Sequence, residues 1–411
     1  MVWVWVTAAA LLAWLALLAG LLLAWRGQLL ALWREPVFEA PILIVESDDW
    51  GAGPTAQAEA LTAVAQRLAR HHDASGRPAV MTLALILAVP EPGVAQHWRR
   101  RTLASQASRP ILDAIRAGQE QGVFALQLHG MEHFWPDAVL AAAETQPEVQ
   151  AWLAAPELTE HLPSPLQSRW VDASVLPSRP HPRQAVESAV AEEVGLYVEL
   201  FGAVPEVVVP PTFVWNEEVE AAWAAAGVRV IITPGRRLTG RAGDGRPAGV
   251  DRTMVNGERG AGGLVYLVRD DYFEPVFGHR PEQALTALRQ KTELGRPCLL
   301  ETHRGNFLAV AGGEGGEGGK PAAALDALDE LYARALRDFP ALRFASSAEL
   351  GQAMRHADPA WVEQDGPRRF TIWLRRIVGL PRFGKAARLS GLLPLLELFD
   401  RLFSRFANRR P

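Results

Sequence analysis

Eight short apolar runs recur between residues 41 and 356, and helix-length segments separate most of them. No other feature of the chain narrows its fold as much. The runs at 42–46, 79–87, 124–128, 206–209, 228–233, 264–268, 298–301 and 342–346 read as strands. Helical patterns cover 56–71, 111–118, 136–143, 184–200, 217–225, 281–294, 322–339 and 348–355. Strands alternating with helices predict an α/β fold with a mostly parallel sheet. Seven or eight such units in roughly 315 residues fit one closed β/α barrel better than two separate open sheets. Three stretches interrupt the pattern: 145–183 is Pro-rich, 240–263 carries eight glycines, and 312–319 reads GGEGGEGG. Each is too irregular for an ordinary connector, and lids over a site or surface insertions without function are both open readings.

The two ends of the chain point to a membrane. Residues 1–25 hold no charged side chain, and at 1.5 Å per residue a helix of that length spans about 37 Å, enough for a hydrocarbon core of about 30 Å. A cleaved signal peptide would show a basic start and a small-x-small cleavage site; both are missing, so the segment reads as an uncleaved anchor. Trp3, Trp5, Trp25 and Trp33 lie near its ends, where indoles favour the interface. Arg26 and Arg34 come after it and favour a cytoplasmic body by the positive-inside tendency. The formal net charge of -4 hides an asymmetry, because residues 368–411 carry 11 Lys/Arg against 2 Asp/Glu. Apolar clusters alternate there with Arg375, Arg376, Arg382, Lys385, Arg388, Arg401 and Arg405. The tail is thus either an interfacial helix on anionic lipid or a helical pair packed on the body with a solvated basic face. The expected division is an anchor over 1–25, a juxtamembrane linker over 26–40, the barrel over 41–356 and the basic tail over 357–411. The near-neutral total argues against nucleic acid as a partner. The single cysteine, Cys298, excludes an internal disulfide and a cysteine-based zinc site.

The residues at the strand ends carry the chemistry. Run 42–46 leads into Ser47-Asp48-Asp49-Trp50-Gly51, run 124–128 into His129-Gly130-Met131-Glu132-His133, and run 298–301 into Thr302-His303-Arg304. In a parallel barrel these carboxyl ends open on one face, so side chains remote in sequence converge there. Adjacent carboxylates repel and are costly to desolvate together, so Asp48 and Asp49 call for solvent or a cation. Two histidines four apart can ligate one ion, and Gly130 permits a tight exit from the strand. With one Asp they make a three-ligand site of N and O donors, open for water, while the second Asp stays free to take a proton. Alone, each piece has a commoner explanation as a cap or a solvated side chain. Placed together after separate strands, they point to a metal-dependent site.

At these positions the chain resembles the polysaccharide deacetylases of the NodB homology type, as a divergent branch, over most of residues 41–356. The resemblance implies a distorted (β/α)7-type barrel with one divalent metal. It also implies Asp48 as general base, Asp49, His129 and His133 as metal ligands, and His303 as catalytic acid. Val208-Val209-Pro210-Pro211-Thr212-Phe213 is similar to the family's Arg-x-Pro-Pro groove motif, but the arginine that orients the base is missing. Arg269, Arg304 and Arg236 are candidates to replace it. The segment Arg269-Asp270-Asp271-Tyr272-Phe273-Glu274-Pro275 falls where the family places an acidic residue that tunes the catalytic histidine. Asp270 or Asp271 is expected in that role, unless the segment is a turn with solvated carboxylates. Glu46-Ser47 and Trp50 depart from the family's usual Thr-Phe and Gly. Trp50, Pro210, Pro211, Arg269, Asp270, Asp271 and Arg304 form the expected substrate-binding or tuning set.

The expected activity is metal-dependent hydrolysis of N- or O-acetyl groups on a membrane-associated or envelope glycan, with zinc the first expectation for the ion. One rival keeps the barrel as a glycoside hydrolase that pairs Asp48 with Asp270, Asp271 or Glu301. Another, suggested by the missing arginine, is a non-catalytic, membrane-tethered glycan-binding protein. The envelope substrates of similar enzymes pull the body outward, against the pull of the arginines.

Overall fold

Side-chain alternation along the first strand sets the plan of the molecule. In β1 (Ile42–Gly51), buried along its whole length, Ile42 and Ile44 face the barrel interior while Leu43 and Val45 pack under the surrounding helices. A strand apolar on both faces needs cover on both, which parallel βα units supply. The computed structural model describes residues 1–411 except 92–97, 155, 157, 159–160, 309–320 and 408–411. The glycine-rich stretch 312–319 therefore lies outside the described residues.

The other strands of the main sheet are β2 (Met81–Ile86), β3 (Phe124–Leu128), β4 (Val207–Val208), β5 (Val230–Thr233), β6 (Val265–Val268), β7 (Asp271–Tyr272), β8 (Cys298–His303) and β9 (Arg343–Phe344). Their order is β6-β5-β4-β3-β2-β1-β8-β7, with β9 also on β1, and every pairing is parallel. The two edges of this curled sheet, β6 and β7, are separated in sequence by Arg269 and Asp270 alone. On one side of that step the Arg269 amide donates to the Thr233 carbonyl at 2.8 Å, and on the other the Phe273 amide donates to the Glu301 carbonyl at 2.7 Å. One short piece of chain thus joins both edges, and the result is a distorted β/α barrel.

All eight expected strands are present, shortened or extended by a few residues. The ninth, β7, is two residues long and carries no apolar run, so its pattern gave no signal. The helices Pro136–Ala143 and Glu217–Ala225 match the expected limits, and the other expected helices shift by at most a few residues. The glycine-rich segment 240–263 contains most of a hairpin, Arg236–Arg241 with Pro247–Thr253.

At the amino end, Val2–Ala24 is an apolar helix long enough to cross a membrane, and most of its surface is exposed. The expected linker is itself helical over Arg26–Arg34. The tail forms three helices, Gly366–Val378, Pro381–Leu389 and Leu392–Ala407. The tail packs chiefly against the N-terminal helices, a partner neither reading named: Leu374, Ile377, Phe383 and Leu392 form one cluster with Leu18, Leu29 and Leu32. The indole of Trp14 donates to the Ser390 carbonyl at 2.8 Å, and that of Trp373 to the Leu29 carbonyl at 2.9 Å. Arg376, buried, donates to the carbonyls of Glu35, Pro36 and Gly295. The N-terminal helices enter just before β1, where Phe38 bridges to Val362, so both ends of the chain attach at the barrel floor, the amino ends of the strands.

Candidate metal and catalytic site

Going up the barrel interior, the inward side chains change character layer by layer. Ile42, Val230 and Val265 line the floor, and Ile44, Ile232, Leu267 and Leu299 lie above them. The next layer holds Glu46, Arg269 and Glu301, and the rim holds Asp48 beside His303; register pairs Glu46 with Glu301 and Asp48 with His303. The carboxyl ends of the strands are thus where charge accumulates.

Two adjacent residues of a regular strand point to opposite faces, so Asp48 and Asp49 need a local irregularity to act together. β1 supplies one. Its pairing with β2 steps from Ser47–Leu83 to Trp50–Leu85, three residues against two, a bulge at the Asp pair. Asp49 sits there at φ 73°, in the left-handed region. Asp48 turns to Arg269 and Asp49 to the histidines. Trp50, expected among substrate or tuning residues, is instead fully buried in the core, its indole donating to Ser47 Oγ at 2.8 Å and stacked on Phe307. The bulge reverses its direction, so it packs behind the rim with the core under the helices.

His129 Nε2 and His133 Nε2 stand 3.5 and 3.6 Å from Asp49 Oδ1, and all three groups are buried. His129 Nδ1 donates to the Val209 carbonyl at 2.8 Å, which in the neutral ring leaves the Nε2 lone pair aimed at Asp49. Asp49 Oδ1 is buried with no hydrogen-bond partner among the described residues. The donor separations agree with the roughly 3.4 Å expected for ligands about 2.1 Å from a tetrahedral ion. Burial by itself raises the Asp49 carboxyl, yet the imidazoles of His129, His133 and His303 hold it well below the usual range. His129 is in turn shifted up, its burial outweighed by Asp49 and Asp48. Both shifts express one demand, positive charge at the centre of the set, and a divalent ion fits it.

Arg269 donates to Asp48 Oδ1 and Oδ2 at 2.9 and 2.6 Å, a two-pronged grip on the carboxylate. It also reaches Glu46 at 2.8 Å and Glu301 at 3.1 Å. Of the three candidates for the missing arginine, Arg269 is the one that grips Asp48. Arg236 is exposed on the hairpin, and Arg304 is buried in the turn Arg304–Asn306. Pro210 and Pro211 are buried; the turn they start places Thr212 and Phe213 at φ 54° and 55°, with the Phe213 ring 5.2 Å from the Arg269 guanidinium. Burial pushes Asp48 up, but Arg269 and His129 hold it below the ordinary carboxylate range, ionised. Burial pushes Glu46 and Glu301 above that range, Arg269 offsetting it only in part.

The acid partner of His303 is Glu274, whose Oε1 lies 2.5 Å from His303 Nδ1. Neither expected residue takes this place: Asp270 lies 2.5 Å and Asp271 3.4 Å from Lys291 Nζ. Glu274 lies three residues beyond Asp271, past the step that joins the sheet edges, where no periodicity extends from the strand. Asn306 holds its other oxygen, and also donates to Thr302 Oγ1 at 3.0 Å. Burial lowers the His303 imidazolium, but the Glu274 bond and the charges of Asp49, Glu274 and Asp48 raise it to about 10. Its side chain is 38% exposed, far more open than Asp48 at 4%.

No protein-family model matches the chain, and no curated protein matches it. Solved structures similar to it include a candidate polysaccharide deacetylase from Mycobacterium smegmatis, at 14% identity and a TM-score of 0.40, covering 77% of this chain and 91% of that one. A family 4 carbohydrate esterase from Streptomyces lividans, in complex with acetate, is similar at 11% identity and a TM-score of 0.33, covering 76% and 96%. A GH57-type branching enzyme from Pyrococcus horikoshii is similar at 9% identity and a TM-score of 0.41, covering 75% and 69%.

Proposed function

We propose that this chain is a membrane-anchored, metal-dependent hydrolase that removes acetyl groups from an N- or O-acetylated glycan. The observation that carries the reading is the pairing of Asp48 and His303 across the rim, each with its own fixed partner, beside an unsatisfied Asp49 flanked by two imidazoles. Asp49, His129 and His133 would hold the ion, with zinc the first candidate. When bound, it supplies polarisation of the acyl carbonyl and a lowered pKa for water. Asp48, ionised and locked in orientation by Arg269, takes the proton of the attacking water. His303, kept protonated by Glu274, gives its proton to the departing amine or alcohol. The opposite shifts of Asp48 and His303 divide base from acid in the way such a pair requires.

Arg269 restores the base-orienting contact whose absence suggested a non-catalytic protein. The glycoside hydrolase rival narrows to Asp48 with Glu301, since Asp270 and Asp271 are held by Lys291. The test is an acetate-release screen on acetylated glycans with the full-length protein in detergent, paired with metal analysis. Asp48→Asn is expected to keep its metal and lose about 10²- to 10⁴-fold in acetate release. Full activity in that variant removes Asp48 as base, and chain shortening without acetate transfers the site to the rival.

A further inference from the structure

The barrel has a second recess, on the floor opposite the catalytic rim. A cavity of about 710 Å³ lies where the helix Arg26–Arg34 meets the floor, lined by Gly27, Leu30 and Arg34 of that helix, by Arg252 and Arg259 from the segment before β6, and by Arg369 of the first tail helix. Its two carboxylates are engaged. Glu35 is held by Arg296 and Arg376 at 2.7 and 3.4 Å, and Glu258 by Arg252 at 2.9 Å. Arg34, Arg259 and Arg369 have no salt bridge among the described residues. Arg259 donates to the Arg355 carbonyl at 3.0 Å, and Arg369 to those of Trp33 and Glu363 at 3.2 and 3.4 Å; Arg34 makes no side-chain hydrogen bond among the described residues. Each guanidinium has five N–H donors, so most of theirs are unspent.

The position of the cavity says what can supply an anion. Gly27, at the start of the second helix, lies 3 residues past the apolar helix, about 5 Å beyond its end at 1.5 Å per residue, which is headgroup depth for a spanning helix; the break at Trp25 ends the straight run there. Leu30, half exposed, gives the cavity an apolar border on the same side. Guanidinium groups match phosphate oxygens two at a time. We propose that this cavity binds the phosphate headgroup of an anionic membrane phospholipid, with Arg34, Arg259 and Arg369 on the phosphate and the acyl chains leaving past Leu30. The site is independent of the catalytic reading and rests on Val2–Ala24 spanning a bilayer.

The test reconstitutes the full-length protein into vesicles of phosphatidylcholine with or without phosphatidylglycerol, extracts it in mild detergent and measures the phospholipid that stays bound. Phosphatidylglycerol is expected to be retained over phosphatidylcholine by about tenfold or more. Each arginine removed should cost about fivefold, so Arg34→Gln weakens retention and the triple Gln variant of Arg34, Arg259 and Arg369 abolishes it. Arg34→Gln loses no side-chain hydrogen bond, which guards against misfolding as the cause. Metal content stays normal in both variants. Equal retention of the two lipids overturns the proposal, as does wild-type retention by the variants. Displacement by millimolar inorganic phosphate would assign the cavity to a soluble anion and overturn the lipid source. A protein that stays in solution without detergent removes the spanning helix and the proposal with it.

Discussion

The floor and the rim of the barrel are built from the same strands and obey opposite rules. Four inward positions of β1 read Ile42, Ile44, Glu46 and Asp48, a passage from apolar packing to buried charge over about 20 Å at roughly 3.3 Å per residue. The floor gains stability by excluding water from aliphatic groups. The rim and the layer beneath it gather three carboxylates around a single arginine, a costly arrangement to keep desolvated, and leave Asp49 Oδ1 without a hydrogen bond among the described residues. The difference teaches where the proposed function would sit: at the strand ends, where charge is buried, and not on the apolar floor.

Changes at each level should separate the two ends. The largest effect is expected from His129→Ala, which removes a proposed ligand: bound metal should disappear and acetate release fall by at least about 10³-fold, while thermal unfolding stays cooperative. Retention of a full equivalent of metal would break the assignment of the rim. Arg269→Met should act on both ends at once, because it leaves buried carboxylates uncompensated. A loss of about 3–5 kcal/mol in denaturant unfolding is expected, along with activity. If stability is lost but the folded fraction keeps full acetate release, Arg269 does not position Asp48. Ile44→Ala belongs to the floor alone, and should cost about 2–5 kcal/mol with an unchanged rate per folded molecule. The smallest effect concerns Asp73, near the floor, whose carboxylate accepts from the amides of Ser75, Arg77 and Phe344 and from Ser75 Oγ. Burial raises this group, but those bonds hold it below the usual carboxylate range. Its stabilisation is therefore present above the unfolded pKa of about 4 and lost as pH falls through the lower folded value. In Asp73→Asn the drop in melting temperature on acidification should be shallower, by the equivalent of about 1 kcal/mol; an unchanged acid limb would remove Asp73 from the balance.

Legibility in the sequence divides along the same line. Apolar runs are long on the floor side, and they locate eight strands and the side chains that end them. Arg269 is also within reach, since Val265, Leu267 and Arg269 alternate onto one face, yet sequence alone leaves Arg236 and Arg304 beside it as candidates. The bulge at Asp48 and Asp49 is not readable, because nothing in Ser47-Asp48-Asp49-Trp50 announces an extra residue in the pairing; the expectation for Trp50 fails as a consequence. Glu274 escapes because contacts across a turn depend on how the turn folds, and Asp270 and Asp271 are nearer to the strand. The tail cannot be placed from its own residues, as its partner surface is Leu18, Leu29 and Leu32 at the other end of the chain.

The two-residue step between β6 and β7 also orders the site along the chain. Its arginine meets Asp48 across 221 residues of sequence, a long-range contact that closes a long loop. Asp49, His129 and His133 all lie in the first third of the chain, whereas Arg269 and Glu274 lie in and just after the segment that joins the sheet edges and His303 follows on β8. A chain emerging from its amino end therefore carries the three proposed metal ligands well before the proposed base-orienting arginine and the proposed acid. On the proposed function, full activity reports that the two edges have been joined.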